Sequence, residues 1–234
     1  MTDLVVIVPS RGRPAAVAEL AEAFNATCAA DTQIVLALDA DDERRSVYYE
    51  SMVGINRVTS IIEQERGTMV SALNLAAAYV VEQGGFAIGF LGDDHRPRTE
   101  GWDRQYLDEL HGLGTGIVYG NDLLQGENLP TQVAMTTDIV RALGYMSPPR
   151  LTHLFVDNFW RDLGKHAGCL TYLPDVIVEH VHPVAGKADW DPGYRRVNNA
   201  DVYSADARAY QTYLHTRMWT DVRAVQALRK RVDR

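Results

Sequence analysis

The sequence predicts an α/β fold: a mostly parallel central sheet flanked by helices, followed by an amphipathic helix at the C-terminus. Three observations carry this expectation. Short apolar runs alternate with helix-length segments through residues 4–91, the order of β-α-β units. Two of those runs end in acidic clusters, at Asp39 and at Asp93-Asp94, where the carboxyl ends of strands open into a ligand crevice. At the other end of the chain, Leu214, Met218, Val222, Val225, Leu228 and Val232 recur at spacings of three and four, the period of a helix with one apolar stripe.

Taken in order, Leu4 to Val8 reads as a buried strand, and Pro14 to Phe24 as a helix whose proline suits its first turn. Ile34 to Leu38 is a second strand and Val58 to Ile62 a third. Met69 to Val81 is an alanine-rich helix leading into the apolar run Phe86 to Leu91, which is short enough for a buried strand. Beyond it the pattern loosens. Trp102 to Leu113 predicts a helix, Ile117 to Tyr119 a short strand and Phe155 to Leu163 a helix. Leu170 to Leu173 and Val176 to Val181 read as two strands separated by Pro174-Asp175.

With 234 residues, 46% of them hydrophobic, the chain can bury a full core. The formal charge of −8 argues against a generally nucleic-acid-binding surface. The charge is unevenly spread, because His215 to Arg234 holds six basic residues against Asp221 and Asp233, a local net of +4. Cys28 and Cys169 lie far apart and outside any C-x-x-C motif, which excludes a disulfide framework and favours a reducing, cytoplasmic setting. No apolar stretch reaches the roughly 18 to 20 residues of a membrane span. The N-terminal run Leu4 to Val8 is too short, and lacks the basic flank, for a signal peptide.

Several residues could carry chemistry. Pro9-Ser10-Arg11-Gly12-Arg13-Pro14 links a strand to a helix and offers backbone N–H groups and two guanidinium groups to an anion such as a diphosphate. It is neither a dinucleotide fingerprint nor a P-loop, and a turn with solvated arginines is the plainer alternative. Asp39 is placed to accept hydrogen bonds from a base or ribose, whereas Asp41, Asp42 and Glu43 suit a solvated turn. Arg66-Gly67, followed by Ser71 and Asn74, permits close approach of a ligand at a helix start, or forms an ordinary cap. Asp93 and Asp94 would repel each other at a buried strand end unless a divalent cation neutralises them, or unless Arg96 or Arg98 does. Mg²⁺ or Mn²⁺ is the expected cation, and an imidazole ligand would favour Mn²⁺. Glu179-His180-Val181-His182 supplies two histidines, which strand alternation would put on one face; His182, where strand gives way to loop, is the preferred ligand. Trp102, Trp160, Trp190 and Tyr194 are either sugar-stacking faces or core.

In their order and spacing, these residues resemble the nucleotide-sugar-dependent glycosyltransferases of the GT-A fold, especially the family-2-like group. The resemblance covers about residues 4–185. It rests on Val8-Pro9-Ser10-Arg11-Gly12-Arg13, the acidic strand end at Asp39, Arg66-Gly67 to Asn74, Leu91-Gly92-Asp93-Asp94-His95-Arg96-Pro97 through Gly101-Trp102, and Glu179-His180-Val181-His182. It implies a Rossmann-type, GT-A-like catalytic domain over residues 1–213, with a donor-binding half to about residue 100 and an acceptor-side half over 101–213, and then a basic amphipathic helix over 214–234. In such enzymes an Asp-x-Asp motif holds a divalent cation on the donor diphosphate, and a downstream histidine often completes the site. Here the motif's usual first aspartate is Gly92, so the resemblance implies metal ligands at Asp94, Asp93 and His182, with Asp93 also taking over ribose contact. His95 is expected as a neighbour of the site. Inverting members use an acid before an acceptor-side helix as general base. Asp157, in Leu154-Phe155-Val156-Asp157-Asn158, resembles that element, with Asn158 replacing its second acid.

The implied reaction is transfer of a sugar from a nucleoside-diphosphate sugar, a UDP-sugar being the commonest for the family, to a hydroxyl acceptor, with inversion slightly favoured over retention. Pro9, Ser10, Arg11, Arg13, Asp39, Arg66, Gly67, Asn74 and Asp93 would contact the donor. The terminal basic helix suits a polyanion, a hydroxylated base in DNA included, although a solvated helix face explains it as well. A nucleotidyltransferase is the second enzymatic reading, weakened by the absence of lysine from Ser10-Arg11-Gly12-Arg13-Pro14. A non-catalytic nucleotide-sugar-binding module is the third.

Overall fold

The computed structural model describes residues 3–51, 57–197 and 199–232. Met1 and Thr2, the side chains of Arg231 and Val232, and residues 233–234 lie outside that description. Strands β1 (Leu4–Ser10), β2 (Thr32–Asp39), β3 (Val58–Gln64) and β4 (Ala87–Phe90) lie parallel in the order β3-β2-β1-β4. Helices α1 (Pro14–Thr27), α2 (Arg45–Ser51) and α3 (Met69–Gln83) fall between them. Val6, Ile7, Val8, Leu36 and Ile88 are fully buried, which is why these strands read as continuous apolar runs rather than alternating ones. Pro14 opens α1, where its fixed φ is already helical. Thr68 and Ser71 form a reciprocal capping box at the start of α3, and Gly84, at φ 79°, ends it in the left-handed region.

The second half is mixed. It comprises β5 (His95–Pro97), α4 (Trp102–Leu113), β6 (Ile117–Asn121), β7 (Val133–Thr136), α5 (Thr137–Leu143), α6 (Val156–Ala167) and β8 (Leu170–His180). Strand β7 runs antiparallel to both β4 and β6; β6 pairs parallel with β8, and β8 antiparallel with β5. The eight-stranded order is β3-β2-β1-β4-β7-β6-β8-β5. The chain continues through α7 (Pro192–Val197), α8 (Ala200–Thr216) and α9 (Met218–Val232).

Two apolar layers sandwich the sheet. One holds Phe24, Leu20, Trp102, Tyr106 and Leu110 of α1 and α4, with Phe24 edge-on to Trp102 at 5.2 Å. The other holds Leu73, Ala76, Phe159, Trp160 and Leu163 of α3 and α6, together with Met218, Val222 and Val225. Trp102 is therefore core rather than a sugar platform, because α4 needs it to cover the sheet.

Two sequence expectations change. Leu170–His180 is one strand that runs through Pro174-Asp175; its pairing with β6 shifts register between Gly120 and Asn121, so the proline falls where the ladder is already irregular. The terminal apolar stripe belongs to two helices that break at Arg217, not to one, and Met218, Val222 and Val225 dock α9 onto α5 and α6. Part of the basic face is structural: Arg217 pairs with Asp221 at 2.9 Å, and Arg229 donates to the Ala167 carbonyl at 3.0 Å. Among the described residues, no helix is long and apolar enough to cross a membrane.

Candidate active site

A cavity of about 620 Å³ opens where β1, β2 and β4 end. Pro9, Ser10, Arg11 and Arg13 line it from the β1–α1 loop, Asp39 from the end of β2, Arg66 and Gly67 from the turn before α3, and Asp93 and Asp94 from the turn after β4. Asp157 reaches it from the first turn of α6 and His182 from beyond β8. Asn74 lies elsewhere. Its amide clamps the loop after α5, accepting from the Met146 and Ser147 N–H groups and donating to the Ser147 carbonyl.

The arginines of the first loop are paired with acids. Arg11 donates to Asp39 at 2.8 Å and to Asp41 at 2.5 Å. Asp39 also accepts from Gln64 Nε2 at 2.9 Å, and the Gly67 N–H approaches it at 3.4 Å. A Cβ on Gly67 would meet Ser71 Oγ at 2.5 Å, so this close approach requires glycine. Arg13 donates to Asp93 at 2.6 Å and to the Tyr194 hydroxyl at 2.8 Å, with its guanidinium 4.4 Å over the Tyr194 ring. Ser10 donates the second bond to Asp93, at 2.5 Å. Burial pushes the Asp93 carboxyl up, against the pull of Arg13. Arg96 and Arg98 do not reach either carboxylate: Arg96 braces the turn through the Asp93 and His95 carbonyls and pairs with Glu19, and Arg98 pairs with Glu179.

Asp94 faces two histidines. Strands β5 and β8 pair in a register that sets His95 directly opposite His180, so their rings stack at 4.3 Å and 16°. Asp94 Oδ1 lies 3.4 Å from His95 Nδ1, Asp94 Oδ2 lies 3.3 Å from His180 Nε2, and the Tyr194 hydroxyl donates to Oδ2 at 2.7 Å. One ligand atom from each of Asp94, His95 and His180 falls within 4.8 Å of the others, the spacing of a metal-holding set. Burial opposes the charge on Asp94, yet His180 and His95 hold its carboxyl well below the usual range. Burial, with His180 beside it, also lowers His95, keeping a ring nitrogen free of its proton. Gly92 is required here: a Cβ would meet Asp94 Oδ1 at 2.5 Å and His95 Nδ1 at 3.1 Å. His182 stands one step outward, its Nδ1 accepting from the Val184 N–H at 3.2 Å and its ring edge-on to His180 and Tyr194, both at 4.9 Å.

The opposite wall is built on α6. Phe155 precedes that helix in the left-handed region, at φ 64°, a conformation sparsely populated by aromatic residues, and packs on Tyr203 and Tyr210 of α8. Asp157 follows in the first turn, and burial pushes its carboxyl up from 3.8. Asp206 of α8, 1% exposed, fixes the approach: it accepts from the Thr152, His153 and Leu154 N–H groups at 2.7–2.9 Å and from the Thr152 hydroxyl at 3.0 Å. Trp160 backs this wall from the core, and Trp190, 42% exposed, stands outside it near His182.

The sequence reading missed the pairing of His95 with His180, together with Tyr194, His153 and Asp206. Two histidines flanking the acidic turn and the late strand were visible, but their register was not, because β5 is three residues long.

No family model matches the chain, and no curated protein matches it by sequence. The architecture is that of the GT-A nucleotide-sugar glycosyltransferases. A mannosyltransferase from Pyrobaculum calidifontis, solved with GDP-mannose and Mn²⁺, aligns over 97% of this chain and 73% of its own, with a TM-score of 0.63 and 14% identity. TarS residues 1–349 from S. aureus, solved with UDP-GlcNAc, aligns over 92% and 73%, with a TM-score of 0.59 and 12% identity. Glucosyl-3-phosphoglycerate synthase from Mycobacterium tuberculosis, solved with Mn²⁺, UDP and glucosyl-3-phosphoglycerate, aligns over 77% and 72%, with a TM-score of 0.55 and 9% identity. Against a longer TarS chain, the match spans 36% of that protein.

Proposed function

We propose that this chain is a metal-dependent glycosyltransferase that moves a sugar from a nucleoside-diphosphate sugar to a hydroxyl acceptor. The observation that carries this reading is the metal-holding set Asp94, His95 and His180 in one cavity with Arg11 and Arg13, on a GT-A fold. The donor set fits a divalent cation: it is buried, it combines one carboxylate with two imidazoles, and Asp94 is held ionised. Mixed oxygen and nitrogen donors suit Mn²⁺ better than Mg²⁺. Asp94, His95 and His180 would hold the cation, with Asp93 and His182 beside them. When bound, it neutralises charge developing on the departing diphosphate.

The remaining roles fall to this chain's own side chains. Arg13 exchanges part of its contact with Asp93 for diphosphate oxygens, and Arg11 and Arg66 line the same approach. Asp39 accepts from the nucleoside, with Gly67 giving it room, and Pro9 and Ser10 form the adjoining floor. Asp157 takes the proton from the acceptor hydroxyl; its raised pKa makes it a stronger base than a free carboxylate, and a base on this wall suits inversion. Uridine diphosphate is the donor nucleotide we favour, since UDP complexes are among the similar structures.

A panel of nucleotide sugars incubated with Mn²⁺ or Mg²⁺ tests the reading. Nucleoside diphosphate should be released and chelation should stop it. Pyrophosphate released from a nucleoside triphosphate would instead mark a nucleotidyltransferase, and binding without either product a carrier module.

A further inference from the structure

Asp122, at the end of β6, has no part in the roles above, yet its carboxylate lies behind both histidines. It is 1% exposed. Its Oδ1 accepts the Leu124, Gln125 and Gly126 N–H groups at 2.7–3.0 Å, which anchors a loop on the cavity wall. Its Oδ2 faces the site. The Thr131 hydroxyl donates to that oxygen at 2.8 Å, and His95 Nε2 lies 3.5 Å from the same hydroxyl. The Gly92 N–H donates to His95 Nδ1 at 3.0 Å, so Nδ1 carries a lone pair and Nε2 the proton. The thread therefore runs from His95 Nε2–H to the Thr131 oxygen, and from the Thr131 hydroxyl to Asp122.

His180 completes the arrangement from the other side. Its Nε2 faces Asp94, while its Nδ1 is buried without a hydrogen-bond partner. The acid facing that nitrogen is Asp122, with Oδ2 at 4.0 Å, and the backbone fixes the pair because the His180 N–H donates to the Asp122 carbonyl at 2.9 Å. Four ångströms is too long for a hydrogen bond, but a small rotation of the ring closes it.

We propose that Asp122 is the shared outer carboxylate of the metal site: a positioning residue that takes the Nδ1 proton of His180 directly and the Nε2 proton of His95 through Thr131. Each imidazole then presents its inner nitrogen, unprotonated, beside Asp94. Carboxylates behind ligating histidines set the ring tautomer and orientation and raise ligand basicity. This assignment rests on Asp94, His95 and His180 being the metal ligands.

The test is Mn²⁺ titration followed by electron paramagnetic resonance, on the wild type, Asp122→Asn and Thr131→Val, with thermal melts to confirm folding. Asparagine can still cap the Leu124–Gly126 loop through its oxygen, but it turns an N–H₂ toward Thr131 and His180, so a merely structural role would leave the metal unaffected. Asp122→Asn should raise the Mn²⁺ dissociation constant about 10- to 100-fold. Thr131→Val should raise it less, and should shift the His95 Nε2–H resonance in nitrogen-15 spectra of the metal-free protein. Folded variants with wild-type Mn²⁺ affinity and an unmoved resonance would overturn the assignment. A wild type that binds no Mn²⁺ would overturn the metal reading itself, and this assignment with it.

Discussion

Replacing Gly92 with aspartate, which restores the first acid of an Asp-x-Asp motif, should damage the metal site. A Cβ at this position lies 2.5 Å from Asp94 Oδ1, whereas ordinary contact begins at 3.4 Å, so the oxygen must retreat by about 0.9 Å. Asp94 has little freedom to do so, because Tyr194 and His180 hold its other oxygen at 2.7 and 3.3 Å. Misplacing a reacting or ligating group by about 1 Å costs on the order of 100-fold, or about 2.8 kcal/mol at about 1.4 kcal/mol per decade. Gly92 is outside the left-handed region, so the loss should register in metal affinity far more than in Tm. Gly92→Ala isolates the steric term, and Gly92→Asp adds a third carboxylate beside Asp93 and Asp94. Mn²⁺ dissociation constants and melting curves for both variants provide the assay. Wild-type Mn²⁺ affinity in folded Gly92→Ala would refute the reasoning.

Asp157→Asn should lower kcat about 10²- to 10⁴-fold while leaving Mn²⁺ affinity unchanged. Because burial raises the pKa of Asp157 and a base must be ionised, wild-type activity should fall as pH drops through a value above 3.8, and a pH profile of the Asn variant should lack that limb. Arg13→Ala should weaken nucleoside-diphosphate binding about 10- to 100-fold by calorimetry, the worth of a charge-assisted hydrogen bond; Arg13→Lys should restore little of it, since a lysine cannot reproduce the fork that reaches Asp93 and Tyr194 together. Asp206→Ala leaves three N–H groups without their acceptor, which should cost about 3 kcal/mol and lower Tm by about 6–12 °C; acceptor turnover should suffer more than donor hydrolysis.

The parallel half of the sheet was legible because β1, β2 and β4 are buried on both faces, which leaves uninterrupted apolar runs with acids where they end. The helix Trp102–Leu113 matched residue for residue. Strand β7 and helix α5 were missed, since Val133–Thr136 has only four residues and passes directly into Thr137–Leu143. The site divides in the same way. Residues following the long strands, from Ser10 to Asp94, line the cavity as their positions implied, because a strand end fixes where the next side chain goes. Asn74 does not, since one helical turn carried it toward the Met146–Ser147 loop. The pairing of His95 with His180, and their shared backing by Asp122, depends on strand register between distant segments, which local spacing does not encode.

The central claim is a cation held against a nucleoside diphosphate at Asp94. Anomalous diffraction from crystals grown with Mn²⁺ and UDP tests it most directly. The account predicts one manganese peak bonded to Asp94, His95 and His180, with the diphosphate between it and Arg13. A nucleotide bound in the cavity without manganese, or manganese bound away from Asp94, would contradict it.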